Sequence, residues 1–270
     1  MMNSGLDFVD LLRQTGYRFP TNSMAVSHPS TGQALPFHPT EGTTILAMRY
    51  RDGVLVAGDR RATAGNMVLY DRADKVINLD AYSVMAISGS PAIAFEIARI
   101  LEHSFQYYRR RQLQEMSLSA KLRRLSMLIK DNLPMAMQGI GAVIPIFATF
   151  DRAEGCGKIY FYDALGAQFE STDFTTTGSG SPSIRGTMYY LNRWGGQRFA
   201  DLDRDAAVGL SLRLLDTASE YDSATGRYEK AADIFPSVKT ITASGLEEIK
   251  TEQLRQLYGQ YVNGEEDVAS

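Results

Sequence analysis

The sequence predicts an α+β domain built on antiparallel sheets. Three observations carry this expectation. Strand patterns and helix patterns fall in separate blocks (strands, two helices, strands, two helices, a strand, a helix) instead of the alternation a parallel sheet requires. The first two strand patterns are joined by a turn far too short for a helical crossover. The chain of 270 residues is 44% hydrophobic and 22% charged, and beyond a polar leader it has length enough for one large domain with a full core.

The leader, residues 1–42, holds Pro20, Pro29, Pro36 and Pro39 and few periodic apolar runs, so it reads as flexible apart from a turn or two of helix over Leu6–Leu12. Thr43–Tyr50 and Val54–Arg61 are rich in apolar and β-branched residues and flank Arg51-Asp52-Gly53, which makes them a β-hairpin. Ala62-Thr63-Ala64-Gly65-Asn66 reads as a turn cluster. Lys75–Leu79 and Tyr82–Ser88 read as two further strands around Asp80-Ala81. Pro91 suits the first turn of a helix whose face carries Ile93, Ile97, Ile100, Leu101, Phe105 and Tyr108. Arg109-Arg110-Arg111 near its end complement the helix dipole.

Ser117 is the expected N-cap of a helix from Leu118 to about Met137, kinked or ended by Pro134. Strands follow at Val143–Phe150, Lys158–Tyr162, near Gln168–Glu170 and at Thr175–Thr177, with Glu154–Gly157 as a tight turn holding Cys156. Pro182 opens a helix to about Trp194, and Asp203–Glu220 forms the next with Val208, Leu212 and Leu215 on one side. Ser237–Ala243 is a late strand, Glu248–Tyr261 a closing helix, and Gly264–Asp267 an acidic tail expected to be disordered.

Composition also excludes chemistry. The net charge of −3 gives no footprint for nucleic acid. Gly139–Phe150, the longest near-apolar stretch, is too short to span a bilayer, and Asp7 and Asp10 argue against a secretory signal, so a cytoplasmic location is expected. One cysteine supports neither a disulfide framework nor a thiolate metal cluster. His28 and His38 lie in the leader, which leaves His103 alone, and no HExxH occurs. Gly178-Ser179-Gly180-Ser181 precedes a helix but lacks the lysine of a phosphate-binding loop, so turn structure is its better reading.

The chemistry is therefore sought at Gly42-Thr43. If that bond is cut, Thr43 carries a hydroxyl nucleophile and a free amine on one residue, and the amine can act as the base. Such an amine titrates near pH 8, about 7.7–8.0, which suits proton exchange with a hydroxyl near neutrality. Asp59 ends the second strand and Lys75 opens the next one, 16 and 32 residues after Thr43. A nearby ammonium favours the neutral amine, and a buried ammonium needs a counter-charge.

Gly42-Thr43-Thr44-Ile45, Gly58-Asp59-Arg60-Arg61-Ala62-Thr63, Gly65-Asn66, Lys75-Val76, Ser88-Gly89, Gly178-Ser179-Gly180-Ser181 and Asp222-Ser223-Ala224-Thr225-Gly226 stand in one register. Together they make the chain, from Thr43 to about residue 262, resemble a 20S proteasome β-subunit of the actinobacterial and archaeal type. The resemblance implies an N-terminal nucleophile hydrolase, a four-layer α-β-β-α sandwich and a threonine endopeptidase, with residues 1–42 a propeptide released by the chain itself and 43–270 the catalytic domain. It implies that Thr43 is nucleophile and base, that Lys75 is the adjacent cation paired with Asp59, and that the Gly89 N–H serves the oxyanion. Ser179, Asp222 and Thr225 would support the threonine amine, and Thr225 departs from the family's usual serine there.

Homo-heptameric β rings stacked on α-subunit rings, a ring ATPase and substrates tagged with a prokaryotic ubiquitin-like protein are also implied, without metal or organic cofactor. Counting along the family's pattern, Ala62, Ala73, Ile77, Ile87, Pro91 and Phe95 line the pocket for the residue before the scissile bond. That apolar set implies cleavage after large apolar side chains. The alternatives are another N-terminal nucleophile amidohydrolase, the simpler two-ring bacterial threonine protease, and a structural β-subunit that keeps its leader.

Overall fold

Two antiparallel sheets pack face to face and are covered on their outer sides by helices. The computed structural model describes residues 8–16, 42–64, 67–138, 141–228 and 233–264. The first sheet joins β1 (Thr44–Tyr50), β2 (Gly53–Gly58), β10 (Phe174–Gly178), β11 (Ser237–Thr242) and β12 (Gly245–Glu248) in the order β10-β1-β2-β11-β12. The second joins β5 (Val76–Asp80), β6 (Ser83–Ala86), β7 (Ile146–Asp151), β8 (Cys156–Tyr162) and β9 (Gln168–Ser171) in chain order. Between the two in the chain, β3 (Ala62–Ala64) and β4 (Met67–Tyr70) form a small hairpin.

Three separate cores show why this is a four-layer sandwich. On β1 and β2, Ile45, Ala47, Val54 and Val56 face the second sheet, where they meet Val76, Val84, Ala86, Ile146, Ala148 and Ile159. The alternate residues Leu46, Met48, Leu55 and Ala57 face outward, against α5 (Ser181–Trp194), α6 (Arg204–Tyr221) and α7 (Thr251–Tyr258). The period of two thus divides one apolar run between two cores, and both faces of the strand are buried. On the far side Met85, Ile87, Phe147 and Tyr160 pack under α2 (Pro91–Gln112) and α3 (Leu118–Asp131).

Most boundaries predicted from the sequence hold, and the exceptions have local causes. Ala62–Ala64 is a strand, not a turn, and pairs with Met67–Tyr70, all four of which are exposed. The predicted helix to Met137 ends at Asp131, and a separate turn, α4 (Leu133–Ala136), follows with Pro134 near its start. Pro134 cannot donate to the Lys130 carbonyl and its ring crowds that group. β7 begins at Ile146, directly after Pro145, instead of Val143. Cys156 is the first residue of β8, not a turn residue. Glu247 and Glu248 pair with β11 as part of β12, so the closing helix begins only at Thr251. In the leader, α1 (Phe8–Gln14) sets Phe8 against the rings of His103 and Tyr107 on α2. Leader residues 1–7 and 17–41 and the acidic tail beyond Gly264 lie outside the described residues. No helix among the described residues is long and apolar enough to cross a membrane.

Candidate active site

The site forms where the start of β1, the end of β2, the start of β5 and two loops meet between the sheets. Thr43 precedes β1 and is only 4% exposed. Its hydroxyl donates to the Gly42 carbonyl at 2.6 Å, and the Lys75 ammonium donates to the same oxygen at 3.0 Å. Gly42 has no room for a side chain there: a Cβ would lie 2.4 Å from both Ala224 Cβ and Thr63 Oγ1.

Lys75 also donates to Asp59 Oδ1 at 2.8 Å. Asp59 is fully buried, and its carboxylate is saturated by the chain around it. Oδ1 also accepts from the Thr44 N–H, while Oδ2 accepts from the N–H groups of Arg61 and Gly226. A buried charge is tolerable only with such a complete set of partners. Burial lowers the Lys75 pKa below the ordinary lysine value, and the attraction and hydrogen bond of Asp59 work in the opposite direction.

A second network holds the Thr43 nitrogen. The Thr43 N–H donates to Ser179 Oγ at 3.2 Å, and Ser179 in turn donates to Asp222 Oδ2 at 2.6 Å. Thr225 donates to the same carboxylate oxygen at 2.6 Å, and its hydroxyl lies 2.6 Å from that of Thr44. Thr225 is buried with its hydroxyl in this network, so the methyl that distinguishes it from serine leaves these bonds in place. The Gly178–Ser181 loop provides close approach instead of a phosphate cradle. Gly178 has φ +98° and a Cβ there would sit 2.1 Å from the Thr43 carbonyl oxygen.

Gly89 follows β6 with φ +93° and bridges Val143. The flanking bonds, Ser90 N–H to the Ala142 carbonyl and Ile144 N–H to the Ser88 carbonyl, turn the Gly89 N–H away from the Val143 strand. Ser88 Oγ donates to the Ile144 carbonyl at 2.7 Å and steadies this corner.

The structure therefore brings Thr43, Asp59, Lys75, Ser179, Asp222 and Thr225 into one bonded cluster. The six predicted pocket residues are distributed differently. Ala62 lies on β3, and the Ala73 N–H donates to the Arg60 carbonyl. Ile87 is 4% exposed in the core under α2, and Ile77 packs against that core. Pro91 opens α2, with Phe95 one turn on and exposed. Sequence reasoning missed Thr44, the Arg61 N–H and Thr63. Arg61 acts through its backbone, which leaves no side-chain signal, and Thr63 acts only through the room its Oγ1 denies Gly42.

The chain matches the proteasome subunit family over residues 40–231. It is similar to proteasome subunit beta 2 of Thermomonospora curvata, at 39% identity over 93% of this chain and 85% of that protein. It is also similar to a proteasome subunit beta of Acidothermus cellulolyticus, 38% identical over 80% of this chain and 73% of the relative. Proteasome subunit beta 1 of Streptomyces avermitilis is 38% identical over 85% of this chain and 79% of its own length.

Proposed function

The chain belongs to the proteasome subunit family, among relatives that are β-subunits, and from that premise we propose that it is a threonine endopeptidase with Thr43 as nucleophile. The convergence of the Thr43 hydroxyl and the Lys75 ammonium on the Gly42 carbonyl carries this reading.

In the precursor, Thr43 Oγ attacks the Gly42 carbonyl carbon, and the Lys75 ammonium stabilises the charge that develops on its oxygen. The C–N bond to Thr43 breaks, the hydroxyl proton ends on the released nitrogen, and the resulting ester is hydrolysed by water. Thr43 is then the first residue of the mature chain. Its amine, held by Ser179 and tuned by Lys75, accepts the hydroxyl proton when Oγ attacks a substrate peptide. The Gly89 N–H stabilises the oxyanion, the leaving amine takes the proton, and water clears the acyl-threonine ester.

The finer particulars belong to the same proposal: seven-membered β rings capped by α rings, a ring ATPase that delivers unfolded or tagged proteins, and a cytoplasmic site of action. N-terminal sequencing and intact mass test the central claim. Active protein is expected to begin at Thr43. Thr43→Ala is expected to keep its leader, to fold and to hydrolyse no fluorogenic peptide. Normal turnover in that variant overturns the assignment.

A further inference from the structure

β5 is an edge strand, bonded to β6 on one side only. The Lys75 carbonyl accepts from the Ile87 N–H on that side, so the alternation of the ladder turns the Val76 N–H and C=O to the open edge. Unpaired backbone groups buried there would be costly. A second lysine meets the carbonyl, and Asp74 meets the N–H. Lys239 lies on β11 beside Ile241, points between the sheets and is 2% exposed. Its ammonium donates to Asp74 Oδ2 at 3.1 Å, to Asn78 Oδ1 at 3.0 Å and to the Val76 carbonyl. An ammonium has three donors, and all three are used on one short segment. The other Asp74 oxygen accepts from Ser237 Oγ at 2.8 Å and from the Val76 N–H at 3.1 Å.

We propose that Lys239, with Asp74, is a positioning residue for the reaction: it anchors the residues on both sides of Lys75 to β11 and so fixes the point from which the Lys75 ammonium reaches Thr43. This rests on the assignment of Lys75 as the cation of the reaction. Asp74 and Val76 are the chain neighbours of Lys75, and β11 is bonded to β2, at whose end Asp59 stands. Lys239 therefore ties the segment carrying the ammonium to the sheet carrying its counter-charge. Lys75 itself is faced by Asp59, Asp222 and Arg61, and Lys239 touches none of the reacting atoms.

The test compares Lys239→Met with wild type in assembled particles, with active sites counted by a covalent label on Thr43. A small misplacement of a catalytic group lowers turnover steeply, so kcat per labelled site is expected to fall about ten- to hundredfold with KM little changed. The acid limb of the pH profile is expected to move to higher pH, because a looser ammonium no longer favours the neutral Thr43 amine. A merely structural role lowers the number of labelled sites and leaves the limb in place.

Wild-type kcat with an unmoved limb overturns the proposal, as does a loss accounted for wholly by fewer labelled sites. If Lys239→Met fails to assemble, Asp74→Asn replaces it. That side chain is 44% exposed, the exchange keeps its shape, and the same shift is expected in smaller measure. An unmoved limb in Asp74→Asn overturns the proposal equally. Lys75→Ala separates the two levels: activity in that variant removes the premise, whereas an inactive Lys75→Ala beside a normal Lys239→Met removes only the role of Lys239.

Discussion

Asp59 and Lys75 are withdrawn from water together, 2.8 Å apart, and each makes the other's charge tolerable. This gives the proposed release of the leader a defined pH dependence. In the precursor the Thr43 nitrogen is an amide and does not titrate, so Lys75 is the group that sets the alkaline limit. Its folded pKa lies below the ordinary 10.5. The ammonium is present below that folded value and lost above it, so processing is expected to fall at a pH below that at which a solvated lysine titrates. Asp59→Asn removes the two largest contributions that oppose burial, so its falling limb is expected at still lower pH, beneath a plateau already reduced. Intact mass after a pH jump measures both rates, and a limb that stays put or rises contradicts the argument. Thr43, Asp59 and Lys75 could be read from the sequence because each carries its chemistry in a side chain at a strand end. Lys239 left a fainter trace, a lysine at the same alternation position as Ile241, and only the fold shows what it meets.

At the scale of elements, the long ones were legible because their signals are redundant. α6 has Asp203 as its cap, with Oδ1 accepting from the Ala206 N–H at 2.8 Å, and a continuous apolar stripe after it. Asp203→Ala is expected to cost about 1 kcal/mol of stability. For a domain of this size that lowers the melting temperature by about 2–4 °C. Thermal melting followed by circular dichroism checks this, and hydrolysis per labelled site is expected to stay at the wild-type level. The short elements were not legible. β3 and β4 are held by pairing to each other, with the β4 side chains exposed, so no apolar alternation marks them. β12 ends in Glu248, which the sequence reading gives to the start of the closing helix, and only pairing with β11 overrides it.

For the molecule as a whole, the four layers decide which side chains line the cleft. The proposed pocket residues come from β3, the segment before β5, β5 itself, the residue after β6 and α2, and all six are uncharged. A large apolar side chain gains about 1.5–3 kcal/mol on burial, roughly 10- to 100-fold in specificity. Fluorogenic peptides ending in Tyr, Phe or Leu are expected to be cut faster than those ending in Arg or Asp by that factor. Equal rates after Arg and Tyr would show that other residues line the pocket.

Asp59 has one more consequence. Its four bonds come from the start of β1, the chain just after β2, the residue before β5 and a loop 167 residues further along the chain. Three of these partners lie within 16 residues of Asp59, but Gly226 does not, so the set is complete only once that far loop has docked. The carboxylate thus behaves as a coincidence detector, and a blade assembled this way is sheathed for as long as the chain is still folding.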